Sequence, residues 1–140
     1  MEIRDDLKEF LFKEIDIIQD IIRRMASNSF MVKGWAITLV VVTLLLQGSR
    51  SQVFIAFIPL LTFWYLDAYF LWQECLYREL YEWVIANRLS TDELLLDMRA
   101  CRFKEDVQSR WRIMVSETLF PFYGTMAILI VAYIVILSNS

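Results

Sequence analysis

Histidine is absent from this 140-residue chain, and glycine, proline and cysteine occur only three, two and two times. The absence of histidine removes the commonest general base, the usual proton switch near neutral pH and the commonest metal ligand. The sequence shows no nucleophile placed beside a base, no metal-ligand cluster and no glycine-rich phosphate loop. We therefore predict that the protein is not an enzyme, has no catalytic residues, and has no metal site or other cofactor.

Charge is missing from three long stretches, although 22% of the residues are charged and 58% are hydrophobic. Residues 1–33 carry six Lys or Arg and seven acidic residues, and residues 74–117 carry seven Lys or Arg and nine acidic residues. The only charged residues outside these two segments are Arg50 and Asp67. A composition this apolar with charge this segregated is typical of an integral membrane protein.

The uncharged stretches predict three transmembrane helices. The first is expected at about residues 30–47, with Lys33 extending its ammonium to the headgroups, and the second at about residues 52–72. The third is expected within residues 118–140. The second stretch has 21 residues and at about 1.5 Å per residue would reach about 31 Å, close to the thickness of a bilayer core. Residues 47–51 suit a tight turn.

The distribution of basic residues predicts the orientation of these spans. Thirteen of the fourteen Lys and Arg residues fall on the side that holds the amino terminus and the central segment. The positive-inside rule makes that side cytoplasmic and places the carboxyl terminus outside. Cys75 and Cys101 would then both be cytoplasmic, where thiols stay reduced, so we expect no structural disulfide.

The amino-terminal segment, residues 1–29, has the periodicity of an amphipathic helix. Its apolar stripe has the spacing of a coiled-coil seam over about two heptads, and it consists of Leu11, Ile15, Ile18, Ile22 and Met25. This stripe either packs on the second helix of the same chain or lies in the membrane interface, or it acts as an assembly surface or latch that holds a closed state.

The central segment, residues 73–117, is predicted to be helical and cytoplasmic. Since no Gly or Pro occurs between Leu60 and Pro121, the second span can continue to about residue 87 as one long helix. Ser90 and Glu93 form a capping-box pattern, which predicts a new helix running toward Trp111. The fold class is therefore all-α, an integral membrane helical protein with segments 1–29, 30–72, 73–117 and 118–140.

Four polar residues within the first two spans are candidates for a pore or gate. Asp67 is the only carboxylate in a span, and an ionisable residue at membrane depth is a functional candidate because its desolvation is costly. Alternatively, Asp67 reaches the headgroups or pairs with Lys33 on the adjacent helix. Lys33, Thr38 and Thr43 are the other three candidates, although threonine hydroxyls in helices normally bond the backbone of their own helix.

A basic stretch in the central segment is a candidate site for an anionic signal. It consists of Arg99, Arg102, Lys104, Arg110, Trp111 and Arg112. Guanidinium groups hold phosphates and an indole can stack on a base, so this composition fits a nucleotide ligand. A solvated charged surface has the same composition, and that alternative stays open.

Two stretches resemble a group of small bacterial membrane proteins: residues 28–40, NSFMVKGWAITLV, and residues 63–84, FWYLDAYFLWQECLYRELYEWV. In that group a K-G-W-x-x-T stretch opens the first span and an F-W-x-L-D motif closes the second. The resemblance extends to membrane proteins of antiphage defence operons, including the transmembrane effector of Hailong-type systems, which is paired with a nucleotidyltransferase.

The resemblance implies a homo-oligomeric ion channel in the bacterial inner membrane, which a nucleotide-type signal opens to depolarise and arrest the infected cell. Its partners would be the lipid bilayer, further copies of the chain, taken here as a tetramer, and a nucleotide or oligonucleotide from a partner nucleotidyltransferase. The alternative is a non-conducting membrane anchor or adaptor for a partner enzyme.

Overall fold

The computed structural model of the protein describes residues 2–46, 49 and 53–139. The helices are α1 (Glu2–Leu46), α2 (Phe57–Asn87), α3 (Arg110–Met114) and α4 (Phe120–Asn139). A 3₁₀ turn precedes α2 and another lies between α2 and α3. Three helices, α1, α2 with its leading turn, and α4, are long and apolar enough to cross a membrane, which confirms that part of the predicted fold.

The amphipathic segment and the first predicted span form one continuous helix. α1 has 45 residues and no break at residues 29 and 30, where we placed a segment boundary. No proline lies within it, and its one glycine, Gly34, has open space around it. At about 1.5 Å per residue α1 reaches about 68 Å, roughly twice a bilayer core, so about half of it extends beyond the apolar region.

The two prolines fall where a helix tolerates them. Pro59 lies in the first turn of α2, and Pro121 lies in the first turn of α4. Proline is tolerated near the start of a helix because its fixed φ suits the helix and it interrupts fewer helical hydrogen bonds there than in the interior. α4 begins at Phe120, within the residues 118–140 where the third span is predicted. The turn predicted at residues 47–51 lies outside the described residues except for Ser49.

α1 and α2 pack as a long antiparallel hairpin with an apolar half and a charged half. Lys33 pairs with Asp67 in the apolar half, and Glu14 pairs with Arg88 in the charged half. We call the charged half the stalk: residues 5–28 of α1 and residues 73–87 of α2. Since α2 runs unbroken into the stalk, the prediction of one long helix to residue 87 is confirmed.

Each half of the hairpin has its own core. In the apolar half, α4 packs on α2, and buried residues include Val40, Leu60 and Ile130. In the stalk, the buried residue Ile18 of the apolar stripe belongs to one buried cluster with Leu76 and Leu80, and Leu11 and Ile22 pack on the same cluster. Ile15 and Met25 are half-buried. The stripe therefore packs on the second helix of its own chain, which was the first alternative.

The prediction of a helix that starts at Ser90 is wrong, because tertiary hydrogen bonds occupy backbone groups that the helix would use for its own hydrogen bonds. Residues 91–99 form turns, with Thr91 accepting a hydrogen bond from the Glu93 amide. Leu94 and Leu96 both have a φ of 55°, in the left-handed region that branched side chains disfavour. The local capping signal is overridden here by an ion pair across the hairpin.

That ion pair joins the end of α2 to α1 and holds the following loop. The Arg88 guanidinium donates to both Glu14 carboxylate oxygens, at 2.5 and 2.9 Å. It also donates to the carbonyls of Thr91, Glu93 and Leu94. Glu14 in turn accepts from the Leu96 amide at 2.7 Å. Both charged side chains are about 1% exposed, so we call this arrangement the clasp.

Breaking one side of the clasp should destabilise the protein more than removing both charges. Arg88→Met leaves the Glu14 carboxylate buried without its counter-charge, and the expected loss in the free energy of unfolding is about 3–5 kcal/mol. The double variant Glu14→Gln with Arg88→Met should recover part of this loss. Thermal unfolding in micelles and hydrogen exchange of the amides of residues 91–97 measure both effects.

Lys13→Gln is the matched control for that experiment. Lys13 neighbours Glu14 but forms an exposed pair with Glu9 on the same helix, and such pairs contribute little to stability. We expect no measurable change in unfolding. A loss with Lys13→Gln as large as with Arg88→Met would show that charge on α1, rather than the clasp, stabilises the stalk.

Candidate functional site

The strongest concentration of buried polar groups in the apolar half surrounds Asp67 of α2. Lys33 Nζ of α1 lies 2.6 Å from Asp67 Oδ2. Ser29 of α1 donates a hydrogen bond to Asp67 Oδ1, and Tyr123 of α4 donates to Asp67 Oδ2 at 3.0 Å. Lys33 also donates to Ser29 at 2.9 Å. Side chains from all three membrane-length helices therefore meet at one carboxylate, and we call this group the hub.

The hub provides partners for a charge whose burial would otherwise be very unfavourable. The Asp67 side chain is 0% exposed, and a carboxylate in apolar surroundings costs free energy unless it is paired and hydrogen-bonded. Here one ammonium and two hydroxyl groups surround it. The pairing of Asp67 with Lys33, one of the two alternatives to a pore role, is confirmed as a contact within the chain.

Aromatic side chains enclose the hub on the side of α4. The Trp64 ring stacks on the Tyr123 ring with centroids 5.7 Å apart and planes 7° apart. Trp64 Nε1 donates to the Met114 carbonyl at 2.9 Å, which ties the end of α3 to α2. Tyr123 is completely buried, and its hydroxyl oxygen also lies 3.3 Å from the Phe63 carbonyl oxygen, a weaker second acceptor for the same proton.

The two threonines proposed as pore residues bond to their own helix. Thr38 Oγ1 donates to the Gly34 carbonyl at 2.9 Å, and Thr43 Oγ1 donates to the Leu39 carbonyl at 2.7 Å. Each hydroxyl therefore makes the local contact expected of threonine in any helix.

The predicted signal-binding residues separate into two places. Arg99 and Arg102 line a cavity of about 240 Å³ beside the clasp, together with Leu94, Asp97 and Cys101. This volume is below the roughly 300–1,000 Å³ of pockets that enclose a small-molecule ligand, so the cavity is too small to enclose a whole nucleotide. Lys104 is exposed nearby in the chain, after the second 3₁₀ turn.

Arg102 carries an unpaired charge within the described part of the chain. Its guanidinium lies 4.4 Å from the ring centroid of Trp83 and 5.0 Å from that of Phe103. All three guanidinium nitrogens are buried and donate to no described acceptor. Arg99, by contrast, hydrogen-bonds to Asp97 through both its side chain and its amide, and this holds the pKa of the Asp97 carboxyl down at about 2. Of the two, Arg102 has unused hydrogen-bonding capacity.

Arg110, Trp111 and Arg112 lie in α3, away from that cavity. Arg110 donates to the Tyr65 hydroxyl at 3.1 Å, and its guanidinium lies 5.1 Å from the ring centroid of Trp72. Trp72 precedes Trp83 by eleven residues of α2, which corresponds to about 16 Å along the helix. The structure thus brings Arg99 and Arg102 together but places the α3 residues at the apolar end of the stalk.

Sequence reasoning missed four residues that the structure makes central: Glu14, Arg88, Ser29 and Tyr123. Two of them left a signal in the pattern. Glu14 occupies a position of the buried stripe between Leu11 and Ile18, and Arg88 continues a buried row with spacing of four residues after Val84. A charged residue on a buried face needs a partner, and this rule could have paired the two.

Neither a possible metal site nor the comparisons with known proteins identify the functional site further. Among the described residues, no three His, Cys, Asp or Glu side chains are grouped so that they could hold a metal ion. The chain matches no protein-family model, no curated protein and no solved structure. The geometry of the hub, the clasp and the cavity is therefore what supports a function.

The hub predicts an asymmetry between its two charged partners. Lys33→Met leaves a completely buried carboxylate with only hydroxyl donors, and the expected loss in the free energy of unfolding is about 3–5 kcal/mol. Asp67→Asn should cost less, about 1–3 kcal/mol, because Lys33 is 23% exposed and its ammonium can reach polar surroundings. Tryptophan emission during thermal unfolding in micelles measures both variants.

Thr38→Val is the control for the hub, since it removes a hydroxyl of the same helix that bonds only to that helix. It should change stability little. Equal losses for Lys33→Met and Asp67→Asn would contradict the asymmetry and would mean that burial of Asp67 does not dominate the hub.

The two free cysteines should differ in reactivity. Cys101 is exposed, whereas Cys75 is half-buried in the stalk. Desolvation, and secondarily the charge of Glu74, raise the pKa of the Cys75 thiol, so less of the reactive thiolate forms. Mass spectrometry after brief maleimide treatment should show Cys101 modified several-fold faster than Cys75. Equal rates would show that the stalk opens during the reaction.

Proposed function

We propose that the protein is a homo-oligomeric membrane effector whose ion pathway opens when an anionic, nucleotide-type signal binds the stalk. One observation carries this proposal: a single unbroken helix, α1, joins the clasp at Glu14 to the ion pair at Lys33. A displacement at the clasp therefore has a rigid connection to the ion pair between Lys33 and Asp67 in the apolar half.

The cavity beside the clasp is where the signal would act. Arg102 offers a guanidinium that donates to no acceptor among the described residues, and Trp83 supplies an aromatic face next to it. A phosphate bound there would contact the loop that Arg88 holds, since Leu94 both lines the cavity and accepts a hydrogen bond from Arg88. Movement of this loop would disturb the Arg88 guanidinium. Because that guanidinium also donates to Glu14, the movement would loosen the clasp.

Opening would require the hub to change. The polar groups of the hub are used within one chain, and three helices alone enclose no useful channel. Several copies would have to surround a common pathway, and release of Lys33 from Asp67 would place charged groups along it. The assembly would be a homo-oligomer, which we take as a tetramer.

The setting follows from the resemblance to effectors of antiphage defence operons. The protein would lie in the bacterial inner membrane with its amino terminus and stalk in the cytoplasm and its carboxyl terminus outside. A partner nucleotidyltransferase would produce the signal, and the resulting depolarisation would arrest or kill the infected cell.

A second candidate function is a non-conducting anchor that holds a partner enzyme at the membrane. The observation that favours it is that Asp67, Thr38 and Thr43 all have partners within their own chain. The stalk would then be the docking element, and the hub would serve stability alone.

Ion flux through liposomes distinguishes the two functions. The purified protein should form a defined oligomer and conduct only after addition of a cyclic dinucleotide or a short oligonucleotide. Arg102→Gln should abolish the response without changing oligomeric mass. A monomer or dimer that stays silent with every nucleotide tested would contradict the effector proposal and favour the anchor.

A proline in α1 tests the mechanical connection itself. Ser27 is exposed on α1 between the stalk core and Lys33. Ser27→Pro removes a helical hydrogen bond and kinks the helix at a cost of about 3 kcal/mol, so it should uncouple signal from flux while the spans stay inserted. Ser27→Ala, the matched control, should respond like the unchanged protein. A normal response of Ser27→Pro would rule out transmission through α1.

A further inference from the structure

The short helix α3 lies at the depth where α2 passes from apolar to charged sequence. The Trp64 indole of α2 donates to the carbonyl at the end of α3, and Arg110 of α3 reaches both Tyr65 and Trp72. The first charged residue of α2 after Asp67 is Glu74. These contacts cover about 12 Å along α2, which is comparable to the headgroup layer of one leaflet.

The outer surface of α3 combines apolar and basic side chains. Trp111 is 72% exposed and Val115, one helical turn later, is 62% exposed. Arg110 and Arg112 are also exposed, and neither forms an ion pair with any residue that the structure describes. Trp111 also packs near Tyr65, with ring centroids 6.4 Å apart.

Arg110 is held in position to receive a ligand. Tyr65 accepts one of its N–H groups, and the Trp72 ring lies against its guanidinium. A guanidinium has five N–H donors, and the other four have no acceptor among the described residues. A positioned fork of this kind binds a phosphate through two parallel hydrogen bonds.

We propose that α3 is a binding site for anionic lipid, in which Arg110 and Arg112 hold headgroup phosphates and Trp111 and Val115 enter the boundary between headgroups and acyl chains. The occupant is a lipid because exposed side chains of two membrane-length helices lie beside α3. Tyr65 of α2 is exposed next to Trp111, and Phe120, at the start of α4, is exposed next to Trp64, whose indole donates to the end of α3. Tryptophan and arginine are the side chains that favour this depth.

The site goes beyond the proposed function and does not depend on conduction, although it does depend on insertion of α2 and α4 in a membrane. It also gives Arg110, Trp111 and Arg112 a role different from that of Arg99 and Arg102. The net charge of the whole chain is −3, so any preference for anionic lipid must come from a local group of basic residues rather than from overall attraction.

The test compares lipid retention by two double variants that lose the same charge. Each protein is reconstituted in bilayers of phosphatidylcholine with phosphatidylglycerol, and native mass spectrometry counts the lipids that remain bound. The unchanged protein should retain phosphatidylglycerol preferentially. Arg110→Gln with Arg112→Gln should lose that preference by about fivefold for each arginine, whereas Arg99→Gln with Lys104→Gln should keep it.

Three further measurements locate the Trp111 indole and distinguish a lipid from a free anion and from misfolding. Lipids brominated near the headgroup should quench the emission of the unchanged protein more than that of Trp111→Phe, which places the indole at the boundary. Glycerol phosphate in solution should not displace the bound lipid. Circular dichroism of each variant should match that of the unchanged protein.

Three results would overturn the proposal. One is an equal loss of phosphatidylglycerol in both double variants, which would indicate attraction by total charge. Another is displacement of the lipid by glycerol phosphate, which would indicate a site for free anions. The third is equal quenching of the unchanged protein and Trp111→Phe, which would place α3 in water.

Discussion

A completely buried carboxylate in the apolar half of the hairpin constrains the rest of the structure. Asp67 is stable there only because Lys33 and Ser29 of α1 and Tyr123 of α4 reach it together. These contacts set the register of α1 against α2 and the position of α4. In an antiparallel hairpin, that register brings Glu14, nineteen residues before Lys33, opposite Arg88, twenty-one residues after Asp67.

The hairpin therefore carries an ion pair in each half, and the two pairs have different consequences. A buried pair is weak evidence for stability, because the cost of desolvating two charges offsets much of their attraction, but losing one partner is strongly unfavourable. A helix that carries such a pair can move between two positions only if its charges have partners in both positions. The clasp adds a loop with two strained leucines, which its hydrogen bonds hold in place.

The basic residues of the central segment show how tertiary contacts divide what looks uniform in sequence. Arg99 is paired with Asp97, Arg102 is enclosed by Trp83 and Phe103, and α3 carries its arginines to the apolar end of the stalk. Residues close together in the chain thus face different surroundings. Their chemistry depends on which part of α2 each one contacts.

Hydrophobic periodicity and charge segregation alone determined the helical class, the three membrane-length helices, the long extension of α2 and the apolar stripe of α1, because these depend on local composition. Only the tertiary structure decided that residues 91–99 are not helical, since the capping signal at Ser90 is local whereas Glu14, which helps hold that loop, is more than seventy residues away. Only two members of the hub could be predicted from the sequence: Asp67 and Lys33, because they are charges in or beside apolar stretches. Ser29 and Tyr123 have no distinguishing pattern in the sequence, and only packing brings them to the same carboxylate.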